Sequence, residues 1–231
     1  MPLELGAFAS FDERLGQSAK RLELAITAEE REQLLAYLAL IQRWTKVYNL
    51  TAVRNAEEMF THHLLDCLAV IEPLRRGLSP APSNVLDVGS GAGLPGVVLA
   101  LLNPSWLVWC VDAVAKKASF IRQAAAELGL ANLQGVHGRV EARATFHDQR
   151  FDLITSRAFA SLADFTSLTA PLLEPSGQWV AMKAKLTEQE QAELPKSVAM
   201  FHVEQLQVPE LDAARCLVWM KPATSDSVVA K

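Results

Sequence analysis

The sequence lacks the features of membrane-spanning and secreted proteins. No run of apolar residues approaches the roughly twenty that a membrane-spanning helix needs. The start, Met1-Pro2-Leu3-Glu4, carries neither the basic region nor the apolar stretch of a secretory signal. The cysteines Cys67, Cys110 and Cys216 form neither a disulfide framework nor a metal-binding spacing. Free thiols of this kind are typical of a reducing compartment, so we expect a cytoplasmic protein that binds no metal and no membrane.

The sequence also lacks an excess of positive charge. It has 22 basic and 26 acidic side chains, which give a net charge of −4. Proteins that bind nucleic acid usually present a basic field, so any contact with RNA would be made by a local patch. Lys116, Lys117 and Arg139 follow predicted strand ends and are the stronger candidates. The basic clusters are Lys20-Arg21, Arg75-Arg76, Lys116-Lys117 with Arg122, and Arg139 with Arg143.

The 231 residues suffice for one large domain with an appended part. Half of the residues are apolar and 21% are charged, which is typical of a globular protein with a sizeable core. We predict a helical extension over residues 1–83, an α/β domain over residues 84–221 and a flexible tail over residues 222–231. The stretch from Arg76 to Asn84, which contains glycine and prolines, is interpreted as a linker.

Helix-start signals mark the predicted extension. Thr27 followed by Glu30 has the spacing of a capping box. Asn55, with two glutamates in the next turn, is a second start signal. The apolar residues that recur on one helical face after the capping box are Leu34, Leu35, Leu38, Ile41 and Trp44.

In the second part, short apolar runs alternate with helical segments, which indicates crossover units and a mostly parallel sheet of seven strands. The last two strands have no helix between them, so we expect them to pair antiparallel at an edge. The predicted strands are Val85–Val88, Leu107–Val111, Leu133–His137, Phe151–Ser156, Gln178–Lys183, Val198–Leu206 and Cys216–Lys221. The predicted helices are Pro95–Leu102, Ala115–Leu128, Leu162–Leu173 and Thr187–Leu194.

A glycine-rich loop, VLDVGSGAGLPG from Val85 to Gly96, is the most informative segment. Its glycines permit a tight turn and a close approach of a ligand to the backbone. A phosphate-binding P-loop is excluded, because Gly96 is followed by valines instead of lysine and serine or threonine. Two cofactors fit: a dinucleotide, through G-x-G-x-x-G with Asp112 as the ribose acid, and S-adenosylmethionine, for whose ammonium group Asp87 is a candidate partner.

The chain resembles the bacterial family of small-subunit (16S) ribosomal RNA guanine-N7 methyltransferases, also called glucose-inhibited division protein B. The Asn-Leu-Thr-Ala segment before the loop and the Ser-Arg-Ala segment after the fourth strand do not belong to dehydrogenases. The matching stretches are YNLTAVRNAEEM (Tyr48 to Met59), HHLLD (His62 to Asp66), DVGSGAGLPG (Asp87 to Gly96), GRVEA (Gly138 to Ala142) and ITSRAFASL (Ile154 to Leu162). The resemblance implies a Rossmann-like S-adenosylmethionine methyltransferase domain behind a helical extension.

The resemblance also implies site residues and partners. The cofactor contacts carried over are Gly89, Leu94, Asp112, Val140, Glu141 and Arg157. The implied partner is 16S ribosomal RNA or the small ribosomal subunit, and we expect a monomer. Ala113 and Ala184 depart from the family, which often has serine and glycine at these positions.

The sequence contains no nucleophile elbow, no His-Glu-x-x-His pair and no Cys-x-x-Cys. N7 of guanine carries an unprotonated lone pair, so in-line methyl transfer in the decoding-region loop would need positioning and no general base. The catalytic candidates are Arg157 and Lys183. For Arg157 the two interpretations are a contact with cofactor or substrate and an ion pair with a carboxylate at the strand end. For Lys183 they are a contact with an RNA phosphate and a solvated position at the strand end.

Either His63 or His62 is interpreted as the partner of Asp66 in a hydrogen bond on the helix surface, with a place at the mouth of the site as the alternative. Three further functions stay open. They are a small-molecule methyltransferase on the same fold, a nicotinamide-dependent oxidoreductase and a protein that senses S-adenosylmethionine without turnover.

Overall fold

The computed structural model describes residues 3–146, 148–159 and 161–223. The predicted tail lies outside this range from residue 224 onward. In the described part of the chain, each helix is too short or too polar to cross a membrane.

The first part of the chain is helical, as predicted. The capping box forms: Thr27 Oγ1 accepts the Glu30 N–H at 3.1 Å, and the Glu30 carboxylate accepts the Thr27 N–H at 2.6 Å. Asn55 also caps a helix, since its side chain accepts the Glu57 N–H at 2.8 Å. The α-helices are α1 (Asp12–Arg21), α2 (Ala28–Tyr48), α3 (Ala56–Glu58), α4 (Asp66–Leu68) and α5 (Ile71–Gly77), with a 3-10 helix over Gly6–Phe11 and a π-helix over Met59–Leu65.

A seven-stranded sheet with the order β3-β2-β1-β4-β5-β7-β6 follows. The first five strands pair in parallel, and β7 lies antiparallel between β5 and β6, which confirms the predicted antiparallel ending. The strands are β1 (Asn84–Val88), β2 (Leu107–Asp112), β3 (Leu133–His137), β4 (Phe151–Arg157), β5 (Leu173–Lys183), β6 (Val198–Leu206) and β7 (Arg215–Pro222). The helices between them are α6 (Gly96–Leu102), α7 (Ala115–Leu128), α8 (Leu162–Thr169) and α9 (Glu188–Ala192).

The helix predicted over Leu162–Leu173 was too long. It ends at Thr169 and passes through a short 3-10 helix into β5, which begins at Leu173. Pro171 explains the change, because its nitrogen has no hydrogen to continue the α-helical pattern.

The helical extension and one face of the sheet share one hydrophobic cluster. This cluster runs from Phe8 through the buried face of α2 to Trp219 on β7. Gly77, at the end of α5, lies so close to the Trp219 ring that a Cβ atom there would overlap it. In the segment predicted as a linker, Leu78 is buried in the same cluster. A second cluster covers the opposite face, so the extension forms a layer packed on the sheet.

Candidate functional site

The carboxyl ends of the parallel strands bring the predicted site residues to one edge of the sheet. Asp112, Arg157 and Lys183 are the last residues of β2, β4 and β5, and Gly89 directly follows β1. Ligands of open α/β sheets bind outside these ends. The topology thus gathers residues that are far apart in the sequence.

The glycine loop is held in its conformation by the neighbouring strand. Gly89, Gly91 and Gly93 have φ angles of +67°, +59° and +82°, a region that side chains rarely allow. The Gly89 N–H donates to the Val111 carbonyl at 2.9 Å, and the Gly91 N–H donates to Asp112 Oδ2 at 3.0 Å. The loop therefore presents a fixed backbone surface to the edge of the sheet.

Asp87 is fully buried beneath the loop, where its Oδ2 atom accepts the Gly96 N–H at 2.9 Å. Its Oδ1 atom has no hydrogen-bond partner among the described residues, so its pairing with an ammonium group stays a prediction. Burial raises the pKa of Asp87 to about 7, and the Gly96 hydrogen bond offsets part of that rise. The Oδ2 contact supports the start of α6.

The six predicted cofactor residues line two adjoining clefts that share Gly89. The first, the Asp112 cleft, measures about 260 Å³. The second, the Thr51 cleft, measures about 190 Å³. The predicted residues in the Asp112 cleft are Gly89, Asp112, Val140 and Glu141, and those in the Thr51 cleft are Gly89, Leu94 and Arg157.

Asp112 holds neighbouring backbone in place and also lines the Asp112 cleft. Its Oδ1 atom accepts the Val114 N–H at 2.8 Å, and its Oδ2 atom lies 3.4 Å from Lys117 Nζ. Each carboxylate oxygen has two lone pairs, so capacity to accept further hydrogen bonds toward the cleft remains. Ala113 lines the same cleft with its small side chain.

Arg157 reaches from the sheet to the helical extension. Its guanidinium donates to the Asp66 carboxylate at 3.1 Å and to the His62 carbonyl at 2.9 Å. The other Asp66 oxygen accepts from Arg215 Nε at 2.7 Å, and the Asp66 side chain is only 5% exposed. Arg157 thus has the carboxylate partner that one interpretation predicted, and it also lines the Thr51 cleft.

A larger cavity of about 570 Å³, the Lys183 cavity, lies beside the two clefts at the ends of β4 and β5. Lys183 Nζ lies 2.5 Å from Glu190 Oε1 and its side chain is 17% exposed, so the prediction of a solvated lysine was wrong. Burial would raise the pKa of Glu190, but the hydrogen bond from Lys183 lowers it below its ordinary value. The other charged side chains that line the cavity are Asp66, Arg157, Lys185 and Arg215.

The predicted surface hydrogen bond between a histidine and Asp66 was wrong. The π-helix turns His63 inward, where its Nε2 atom lies 3.0 Å from Thr51 Oγ1. His62 Nδ1 lies 2.9 Å from Thr61 Oγ1, and both histidines line the Lys183 cavity. Burial and the charge of Arg157 lower the pKa of His63 to about 4, so it is neutral at pH 7. The described residues contain no group of three or more side chains that could hold a metal.

The predicted basic clusters differ in their surroundings. Arg75 donates to Asn103 and pairs with Glu72, and Arg76 pairs with Glu204. Arg139 is 78% exposed and lies 3.6 Å from Glu141 Oε1, at the rim of the Asp112 cleft. The side chain of Arg143 is outside the described part of the structure.

Sequence reasoning did not name Leu50, Thr51 or Arg215 as site residues, and it gave His63 a place at the mouth of the site only as the alternative. Leu50, Thr51 and His63 line the Thr51 cleft together with residues of the glycine loop. Asp66 and Arg215 border the Lys183 cavity. The Asn-Leu-Thr-Ala motif contains Leu50 and Thr51, and the His-His-Leu-Leu-Asp motif contains His63 and Asp66. No quoted motif contains Arg215.

The chain is similar to proteins that methylate ribosomal RNA. A family model described as GidB, rRNA small subunit methyltransferase G, matches residues 30–218. A relative named Ribosomal RNA small subunit methyltransferase G from Methylibium petroleiphilum is 57% identical over 206 residues, covering 89% of this chain and 92% of the relative. The relative of the same name from Bordetella avium is 49% identical over 210 residues, covering 90% and 92%.

Two solved structures share the fold. TrmN from Thermus thermophilus superposes with a TM-score of 0.55 at 16% identity, covering 96% of this chain and 81% of that one. The ribosomal protein L11 methylase from Lactobacillus delbrueckii subsp. bulgaricus has a TM-score of 0.53 at 16% identity, covering 71% and 81%. These likenesses concern the fold, which is the Rossmann-like methyltransferase fold predicted from the sequence.

Proposed function

The chain belongs to the GidB family of rRNA small subunit methyltransferases G, and from this premise we propose that it methylates N7 of a guanine in the decoding-region loop of 16S ribosomal RNA. The methyl donor is S-adenosylmethionine. The observation that carries the proposal is the junction of two clefts at Gly89 with a basic cavity beside them. We further propose that the protein acts as a cytoplasmic monomer.

The residues present fit S-adenosylmethionine. Gly89 lines both clefts with φ +67°, and a Cβ added there would lie 3.8 Å from the Phe159 ring, within the cradle. Asp112 would accept the ribose hydroxyls, while Val140 and Glu141 would border the adenine. Leu94 and Arg157 would border the methionine part. When bound, the cofactor supplies an activated methyl group on a sulfonium.

The Lys183 cavity would receive the target guanine. A base in a structured loop must be splayed out to reach a buried methyl donor. Lys183 would contact an RNA phosphate, and Arg157, which lines both this cavity and the Thr51 cleft, would lie between base and cofactor. The Asp66 and Glu190 carboxylates would offset the positive charge that develops on the methylated base.

No general base is required in this scheme, because the N7 lone pair is already unprotonated. The two described carboxylates of the Lys183 cavity, Asp66 and Glu190, are both held in ion pairs, so neither is free to act as a base. The protein would then accelerate the reaction by placing N7 in line with the methyl group.

The proposal is tested by methyl transfer from labelled S-adenosylmethionine to undermodified small subunits and to their naked RNA. Chain cleavage at N7-methylguanine then maps the product. We expect one strong cleavage in a single loop of the decoding region. Transfer to another atom or another RNA would contradict the assignment, and no transfer despite cofactor binding would favour a small-molecule methyltransferase or a sensor.

A further inference from the structure

An exposed surface of apolar and basic side chains lies next to the two clefts. Tyr48 and Val114 are 46% and 40% exposed, and Val47 is 69% exposed. Single exposed apolar residues are ordinary, but these are grouped on two adjoining segments. We call this surface the Tyr48 patch, and it consists of Lys46, Val47, Tyr48, Arg54, Val114 and Lys116.

The two segments of the patch are joined to each other and lead into the clefts. Lys116 Nζ donates to the Tyr48 carbonyl at 2.8 Å, which ties the start of α7 to the end of α2. Tyr48 is followed by Leu50 in the wall of the Thr51 cleft, and Val114 is preceded by Asp112 in the other cleft. The patch therefore lies within two residues of each cleft along the chain.

The Tyr48 ring is held in place from the core outward. Trp44 packs edge-on against the buried Phe120 with ring centroids 5.4 Å apart. Tyr48 packs on Trp44 with centroids 5.0 Å apart. An exposed ring fixed in this way can stack on a nucleobase at little cost in side-chain entropy.

The charge of the patch has one sign. In the described ranges, Lys46, Arg54 and Lys116 make no ion pair with a carboxylate, whereas Lys117, Lys183, Arg157 and Arg215 each do. Arg54 donates to Asn49 Oδ1 at 2.5 Å instead. In a chain with a net charge of −4, this grouping offers an anionic partner a local binding surface.

We propose that the Tyr48 patch binds a single-stranded segment of the substrate RNA that flanks the target guanine. Tyr48 stacks on one base, and Lys46, Arg54 and Lys116 contact phosphates. Single-stranded RNA combines stackable faces with a phosphate charge at each nucleotide, which matches this pattern of side chains. The inference rests on the proposed RNA substrate and adds the surface that positions it.

The test compares Tyr48→Ala, Tyr48→Phe and Lys46→Gln with the wild-type chain. The readouts are the Kd for naked 16S RNA by filter retention, the KM for the same RNA in methyl transfer, and the Kd for S-adenosylmethionine. Phe201→Ala is the matched control, because Phe201 is 47% exposed but lies on the edge strand β6. The Lys221 ammonium group, on the neighbouring strand β7, lies over the Phe201 ring.

We expect Tyr48→Ala to weaken RNA binding by about tenfold or more, as loss of one stacked base does. Tyr48→Phe keeps the ring and should bind normally, as should the control. Lys46→Gln should lower the slope of log Kd against log salt concentration by about 0.7, the value for one phosphate contact in a single strand. The Kd for S-adenosylmethionine should not change.

Unchanged RNA binding in Tyr48→Ala and an unchanged salt slope in Lys46→Gln would overturn the patch, while methylation by the wild-type chain would leave the proposed function intact. If Tyr48→Ala lost activity on intact subunits but bound naked RNA normally, the patch would contact a ribosomal protein and the inference would be wrong. If Tyr48→Ala fails to fold, the salt dependence of Lys46→Gln tests the patch alone: a slope lowered by about 0.7 supports it, and an unchanged slope overturns it. A wild-type chain that methylates no RNA would instead contradict the proposed function.

Discussion

The phenol of Tyr37 donates a hydrogen bond of 2.5 Å to the carbonyl of Ala92, and this contact joins the helical extension to the glycine loop. Tyr37 lies on α2 and is fully buried. Burial raises the pKa of Tyr37 well above its ordinary value, so the hydroxyl keeps the proton that it donates. The extension therefore fixes one peptide of the proposed cofactor loop.

Replacing Tyr37 with phenylalanine should loosen that peptide. We expect a loss of unfolding free energy of about 1 to 3 kcal/mol, because the Ala92 carbonyl loses its partner. The Kd for S-adenosylmethionine should rise several-fold with kcat little changed. Calorimetric binding and denaturant unfolding measure both quantities.

A purely structural role for Tyr37 is tested with Asn132→Ala. Asn132 directly precedes β3, at the edge of the sheet opposite the clefts, and its side-chain amide donates to the Ala100 and Trp106 carbonyls at 2.9 Å each. This variant should lose comparable stability and keep its affinity for the cofactor. Equal cofactor affinities in the two variants would refute a positioning role for Tyr37.

Gly89→Val should abolish binding of S-adenosylmethionine. The side chain would enter the surface shared by both clefts, and the φ of +67° disfavours a branched residue. Gly129→Val is the matched control, since Gly129 has φ +69° at the end of α7 with open space around it. Both variants carry the backbone strain, so binding that survives in Gly89→Val would rule out the proposed cofactor position.

Much of the fold could be predicted from the sequence because its signals are local. The apolar runs, the capping box and the glycine loop each depend on residues within one or two turns of chain. Two strands, Leu133–His137 and Val198–Leu206, and the helix Ala115–Leu128 have the predicted limits. The antiparallel ending followed from the missing helix between the last two strands.

The parts of the site that were missed depend on contacts between distant segments. Asp66 and Arg215 meet across 149 positions of sequence, and neither has a periodic pattern or a motif that pairs it with the other. Asp87 shows a second limit. Its position near the end of a strand was predicted, but its complete burial and its contact with Gly96 depend on how α6 packs.

Asp66→Ala should be strongly destabilising. It would leave the Arg157 and Arg215 guanidiniums, which are 23% and 20% exposed, without their shared carboxylate. Removing one partner of a buried ion pair costs about 3 to 5 kcal/mol, and urea unfolding should show a loss at the lower end of that range. Asp12→Ala breaks the exposed pair with Arg31 and should cost less than about 1 kcal/mol. Similar losses in both variants would mean that the Asp66 pair is effectively solvated.

Asp87→Asn should change how stability depends on pH. The pKa of Asp87 is about 7 in the folded protein and 3.8 for an ordinary aspartate, so between these values the folded state holds a proton that the unfolded state releases. Stability from this group is therefore full below pH 3.8 and is lost as the pH rises to 7, by about 4 kcal/mol in total. Asparagine does not titrate and still accepts the Gly96 N–H. The unfolding free energy of Asp87→Asn minus that of the wild-type chain should thus increase from pH 4.5 to 7 and then level off.

The comparison with the wild-type chain is needed because His63 has the opposite effect. Its pKa falls from 6.5 to about 4 on folding, so its contribution to stability increases as the pH rises through the same range. In the wild-type chain the two slopes largely cancel, whereas the difference between variants isolates one group. The unfolding free energy of His63→Gln minus that of the wild-type chain should accordingly change in the opposite direction, decreasing from pH 4 to 6.5 and staying constant above that. A difference for Asp87→Asn that stays constant from pH 4.5 to 8 would show that the buried carboxyl is ionised throughout.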